Sequence, residues 1–194
     1  MDFLPAVFIS FITIFVIMDP FASLPPFLAI TKGRKDNEIT DIANKAILIA
    51  GIIALIFAFG GLEILKVLSI TLADFKVAGG IVLGLLGLEN VLNFSLSNGK
   101  DKKEDLESTA VLIATPILTG PGLISSLIVL VQDNGILPVL ASLGSALILS
   151  WIILRNAVTA RKILGDKIII IFSKIMGLML IALGISYIKA GLTI

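Results

Sequence analysis

Two proline-interrupted stretches carry most of the polar chemistry of this chain. The first is Asp19-Pro20-Phe21-Ala22-Ser23-Leu24-Pro25-Pro26, and the second is Thr115-Pro116-Ile117-Leu118-Thr119-Gly120-Pro121-Gly122. Each lies inside a long apolar run. A proline within a helix removes one N–H donor and clashes with the carbonyl four residues back, so both stretches predict a broken helix. Broken backbone in hydrocarbon leaves unpaired polar groups, tolerated only where protein or a wet cavity covers them. The half-helix ends then become binding groups: N-terminal N–H groups attract a carboxylate, and C-terminal carbonyls attract a cation. A zwitterionic amino acid carries both charges on one small body and suits two such breaks. The candidate contacts are Asp19, Pro20, Ser23 and Pro25 in the first stretch, with Thr115, Pro116, Thr119, Gly120, Pro121 and Gly122 in the second.

Asp19 stands apart, because an ionisable side chain within a membrane span costs about 2.5–3.5 kcal/mol or more. It is the candidate for carrying a proton or ligating sodium. Its other reading is structural, as an N-cap for the half-helix that follows Pro20. Glu89 and Asn90, near the end of an apolar run, read either as an interface pair or as part of an entry path. Thr115, Ser125 and Ser126 are expected to bond neighbouring helices, as small hydroxyls do in membranes. Glu63, Lys66 and Asp74 fall near an outer interface.

The elements that must hold these residues are membrane helices. Of 194 residues, 57% are apolar and 15% charged, and the mean hydropathy is +1.10; soluble domains run nearer 45–50% and about 25%. A span needs about 20 apolar residues, and the runs fall at about Phe3–Ile30, Ile42–Leu68, Leu72–Phe94, Ser108–Val131, Ile136–Asn156 and Ile168–Leu192. Runs such as 47–59 are apolar on every side, which argues for helices over a barrel. The first run lacks a basic start and a small-residue cleavage pattern, so it reads as a retained span. A net charge of +1 gives no nucleic-acid footprint. Neither Cys nor His occurs, which removes disulfides, Cys/His zinc sites and imidazole chemistry. No resident cofactor is expected, only a coupling cation.

Twelve Lys and Arg residues (Lys32, Arg34, Lys35, Lys45, Lys100, Lys102, Lys103, Arg155, Arg161, Lys162, Lys167 and Lys174) fall at one set of loops. Three, Lys66, Lys76 and Lys189, fall at the other. The positive-inside rule makes the first set cytoplasmic, which leaves both termini extracytoplasmic in a cell (inner) membrane. The mixed run Lys100–Glu107 reads as a solvated loop.

The halves also resemble each other. At an offset of 96, Pro20 matches Pro116, Ser23 matches Thr119 and Pro25 matches Pro121; at 97, Gly80 matches Gly177 and Gly87 matches Gly184. Three spans per repeat is an odd number, so the second repeat enters the membrane from the opposite side, a plan of secondary transporters. The expected fold is therefore all-α: one transmembrane domain over 1–194, with six transmembrane helices. They form two inverted three-helix repeats, about 1–97 and 98–194, with broken first and fourth helices. Gly79, Gly80, Gly84 and Gly87 form a small-residue stripe echoed by Gly177 and Gly184, suited to internal packing or to a homo-oligomer.

The motifs Asp19-Pro20-x-x-x-x-Pro25-x-Phe27 and Pro116-Ile117-Leu118-Thr119-Gly120-Pro121-Gly122-Leu123-Ile124 resemble those of the MarC family of integral membrane proteins. Length, six spans and the glycines of the third and sixth spans extend the resemblance over essentially the whole chain. It implies a transporter of small neutral amino acids such as glycine and alanine, driven by an ion gradient. From the residues alone three classes compete. A secondary transporter coupled to protons or sodium uses both breaks; a membrane enzyme would need a His, a zinc site or a second aspartate in the membrane. A scaffold or channel-like protein without a transported amino acid would need no polar breaks. No Gly-x-x-x-x-Gly-Lys-Ser/Thr motif for a self-contained ATP-driven pump occurs.

Overall fold

The structure, a computed structural model, describes residues 3–92 and 118–192, which form seven helices and no strand. They are α1 (Phe3–Met18), α2 (Leu24–Ile30), α3 (Asp36–Val67), α4 (Leu72–Leu92), α5 (Pro121–Asn134), α6 (Ile136–Arg155) and α7 (Ala157–Leu192). Among the described residues four helices, α3, α4, α6 and α7, are long and apolar enough to cross a membrane. Thr115, Pro116 and the charged run Lys100–Glu107 lie outside the described residues.

Helix boundaries follow local chemistry more closely than hydropathy. α3 begins six residues before the apolar run expected from Ile42, because Glu38 accepts the Lys35 N–H at 3.2 Å and closes a first turn rich in acids; carboxylates there suit the positive end of the helix dipole. Thr71 and Asp74 exchange backbone and side-chain hydrogen bonds and start α4 where expected. Gly135, at φ 85°, stops α5 and starts α6. The last helix is longer than the expected span: its charged first turns, Ala157–Leu164, turn at Gly165 (φ 73°) before the apolar part begins. Arg161 bridges that turn with two hydrogen bonds to Asp166, at 2.7 and 3.1 Å.

Packing is inverted relative to a soluble protein. Between the buried Ile42 and Leu65 of α3 the buried stripe is Ala43, Ala46, Ala50, Gly51, Ala54, Ala58 and Gly61, whereas Leu48, Ile52, Leu55, Ile56 and Phe59 point outward. Small residues let helices approach closely where lipid supplies no hydrophobic drive for association, and the large apolar side chains are left to the acyl chains. α4 and α7 take this furthest. A Cβ on Gly80 would lie 2.5 Å from the Gly184 carbonyl oxygen, one on Gly87 2.5 Å from that of Gly177, and one on Gly191 2.6 Å from that of Ala73. Residue numbers rise on one helix as they fall on the other, so the pair is antiparallel and meets backbone to backbone.

Candidate functional site

α1 ends where the prolines demand it. The Asp19 N–H still donates to the Phe15 carbonyl at 3.1 Å, but Asp19 itself sits at φ 38°. That left-handed conformation closes a helix and suits Asp, Asn or Gly. The same residue opens the next turn: its carbonyl accepts the Ser23 N–H at 3.1 Å and the Ser23 hydroxyl at 2.9 Å, while its Oδ1 accepts the Ala22 N–H at 3.1 Å. Pro20 therefore stands where a first-turn N–H would have had no partner in any case. Pro25 and Pro26 fall in the first turn of α2 for the same reason. The N-cap reading of Asp19 thus describes one of its oxygens.

The other oxygen reaches across the fold. Asn90, on the last turn of α4, donates from Nδ2 to Asp19 Oδ2 at 2.7 Å, joining residues 71 apart in sequence. Asp19 is 5% exposed and Ser23 2%, so the carboxyl group is taken out of lipid and water alike and satisfied by two donors. Asn90 is held in turn by α7. A Cβ on Gly177 would lie 2.8 Å from the Asn90 Cβ, so the absence of a side chain there lets Asn90 reach Asp19. Phe21 stacks on Phe172 of α7, with centroids 5.0 Å apart, which fixes the turn from the other side.

The second break is described from Leu118 onward. Leu118, Thr119 and Gly120 are buried and non-α-helical, and α5 begins at Pro121. No side chain caps its N-terminus at Gly120. Gly122 is packed against α4, where a Cβ would meet Leu83 at 2.8 Å and Leu86 at 3.2 Å. Both breaks are therefore covered by protein, and both lie on α4: Asn90 touches the first, and Leu83 and Leu86 the second. Those contacts are four to seven residues apart, about 6–10 Å along the helix.

Of the expected contacts, Asp19, Pro20, Ser23, Thr119, Gly120 and Gly122 are buried at the two breaks. Pro25 and Pro121, equivalent in the repeat, are both exposed and shape the helix starts from outside. Ser125 does not bond a neighbouring helix; its hydroxyl turns back to the Gly122 carbonyl at 3.0 Å. Glu63 and Lys66 pair with each other on the surface at 2.6 Å. Asn90 is the residue whose part the sequence left open, and its partner is fixed by the packing of both α4 and α1 against α7. Among the described residues no cluster of three acidic groups could hold a metal, so a cation at Asp19 would meet one carboxylate and the oxygens of the turn.

The model of the MarC family integral membrane protein matches residues 4–194. A UPF0056 membrane protein of Archaeoglobus fulgidus is 31% identical over 194 residues, covering 95% of this chain and 91% of its own. The UPF0056 membrane protein MJ1677 of Methanocaldococcus jannaschii is also 31% identical, with 95% and 94% covered. The UPF0056 inner membrane protein YhgN of Escherichia coli is 28% identical, with 88% and 87% covered. No solved structure matches the chain.

Proposed function

The chain belongs to the MarC family of integral membrane proteins, and from that premise we propose that it is a secondary transporter of small neutral amino acids such as glycine and alanine, coupled to a proton or sodium gradient. The observation that carries this reading is the buried break at Asp19–Ser23, whose carboxyl group is positioned by Asn90 from another helix. Burying a carboxyl group in a membrane protein is costly and marks ion or substrate pathways. A scaffold gains nothing from it.

Six transmembrane helices in two inverted repeats complete the proposal. The interrupted spans would be α1 with α2, and α5 with the residues before it. The glycine seam supports this plan. Gly80 and Gly177 are equivalent by sequence, as are Gly87 and Gly184, and each glycine touches the equivalent of the other. A two-fold axis between two copies produces such reciprocal contacts. Here it would run perpendicular to the antiparallel helices, in the membrane plane, as inverted repeats require. The positive end of α5, where no side chain caps Gly120, favours a substrate carboxylate, while Asp19 and the turn carbonyls offer oxygen to an ammonium group or coupling cation. The basic residues at the α2–α3 and α6–α7 connections support a cytoplasmic location for that end, with both termini outside. The relative named as an inner membrane protein supports the same location.

Purified protein in liposomes is expected to accumulate labelled glycine or alanine under an inward proton or sodium gradient. Dissipation of the gradient with no movement of amino acid would overturn the reading. Asp19→Asn keeps an oxygen to accept the Ala22 N–H, so it is expected to fold and to retain counterflow exchange while losing gradient-driven accumulation. Full accumulation by that variant would remove Asp19 from coupling.

A further inference from the structure

Away from both breaks, an aromatic and cationic cluster is built across two helices. Trp151 on α6 donates from Nε1 to Asn44 Oδ1 of α3 at 2.7 Å, and the Arg155 guanidinium lies 4.8 Å from the centroid of the same indole. The Asn44 bond fixes the ring across the helix seam. The ring in turn holds the cation, an attraction worth about 0.5–1 kcal/mol at an exposed site. Arg155 is exposed, and among the described residues its guanidinium meets no carboxylate. Asp41, one turn before Asn44 on α3, is paired with Lys45 at 3.5 Å. Arg155 is therefore a cation held in place with its N–H groups left for an acceptor outside the protein.

The surface beside it is apolar. α3 and α6 meet at Asn44 and Trp151, and again at Gly51, where a Cβ would lie 3.3 Å from Leu147. Along this seam Leu48 and Ile52 of α3 and Ile148 and Ile152 of α6 are 44–64% exposed. Helical spacing sets Gly144, Ile148 and Ile152 on the stripe of α6 that ends at Arg155. A Cβ on Gly144 would meet nothing within 4 Å. From Arg155 to Gly144 the stripe runs about 16 Å, close to half of a hydrocarbon core about 30 Å thick. A chain lying along it reaches the bilayer midplane while its charged end stays at Arg155.

We propose that Arg155, positioned by Trp151 and Asn44, binds the phosphate of an anionic phospholipid whose acyl chain lies along the exposed α3–α6 seam. The planar guanidinium matches two phosphate oxygens at once, which an ammonium does not. A zwitterionic lipid carries the same phosphate beside a cation that Arg155 repels, so the site selects net negative charge. The site lies on helices that carry neither break, and it stands whether or not the chain transports amino acids.

Trp151 is the only tryptophan in the chain, so its fluorescence reports this site alone. With the protein in phosphatidylcholine vesicles, phosphatidylglycerol brominated on its acyl chain is expected to quench Trp151 saturably and more strongly than brominated phosphatidylcholine. Arg155→Gln should lower that preference about tenfold, as loss of a hydrogen bond to a charged group implies. Arg155→Lys should lose most of it, and Asn44→Ala, which frees the ring, a part. Lys162→Gln removes the same charge from another exposed position at this end of the fold and should change nothing. Arg155→Gln should melt with the parent in detergent, since the guanidinium holds no carboxylate. Full preference in both Arg155→Gln and Asn44→Ala overturns the site, and so does an equal fall in Lys162→Gln, which would reduce it to general surface charge. Full preference in Arg155→Lys overturns the two-oxygen geometry. Displacement of the brominated lipid by inorganic phosphate would make this a site for free anions, and a Trp151 shielded from both lipids would place a second copy of the chain on the seam; either result overturns the proposal.

Discussion

Replacing Gly177 with alanine would set one methyl group against the Asn90 Cβ at 2.8 Å, the Gly87 carbonyl oxygen at 2.8 Å and Val91 Cγ2 at 3.0 Å. Non-bonded carbon atoms rest about 3.5–4.0 Å apart, so α4 and α7 must part by about 1 Å at this level. Two of the three obstacles belong to a helix backbone or the root of a side chain and cannot swing aside. Overpacking of this kind costs about 1–3 kcal/mol, and alanine returns about 0.5–1 kcal/mol through its helix preference. The same movement draws Asn90 off Asp19, and a hydrogen bond to a charged group is worth about 1.5–3 kcal/mol. The net loss is about 2–5 kcal/mol, which for a chain of this length lowers the melting temperature by at least about 5 °C. Gly84→Ala is the matched control. It lies on the facing helix α4 between Gly80 and Gly87, but its Cβ would meet nothing within 4 Å, so the change should be neutral or slightly stabilising. Thermal unfolding in detergent, followed by gradient-driven glycine uptake in liposomes, reads both effects. Equal melting temperatures for the two variants, with full uptake by Gly177→Ala, would refute the backbone-to-backbone seam and the support it gives Asn90.

Asn90→Leu keeps the branched shape and the heavy-atom count of the parent side chain but leaves Asp19 Oδ2 without its donor; gradient-driven uptake is expected to fall about ten- to a hundredfold, the range of a lost hydrogen bond of about 1.5–3 kcal/mol. Near-parental initial rates in a liposome assay would show that Asn90 does not position Asp19. At the exposed turn of α7, hydrogen bonds from Arg161 hold the Asp166 carboxyl below its ordinary value of 3.8. A lowered folded value means that the pair supports the turn above the unfolded value and ceases to do so as pH falls through the lower folded one. Amide exchange in residues 157–166 should therefore keep its protection down to about pH 4 and lose it below. Arg161→Gln should show reduced protection already at neutral pH.

Much of the architecture can be read from the chain because hydropathy and proline act locally. The starts of α4 and α6 fall where the apolar runs begin, and the first break falls on its prolines. The ends of α3 and α7 extend beyond the expected spans because capping at Lys35–Glu38 and the polar turns before Gly165 carry no apolar signal. The candidate site is less legible. Asp19 announces itself as a charge in an apolar run, but the Asn90 bond depends on how α4 and α1 each pack on α7, and nothing in the spacing of residues 71 apart encodes that packing. A retrievable signal did exist: a lone amide three residues past a seam glycine is well placed to serve the neighbouring break.

The double duty of Asp19 has a mechanical result. Its backbone ends one half-helix and its carboxyl and carbonyl begin the other, so the residue is at once pivot and latch. Any chemical event at the carboxyl that loosens the Ala22 or Asn90 contact acts directly on the angle between α1 and α2. The short α2 is a lever arm of about 10 Å, on which a tilt of ten degrees displaces the far end by roughly 2 Å. On the proposed transport reading, that displacement is about the radius of a small solute's passage, and a single proton or ion at the pivot would open or close the path beside it.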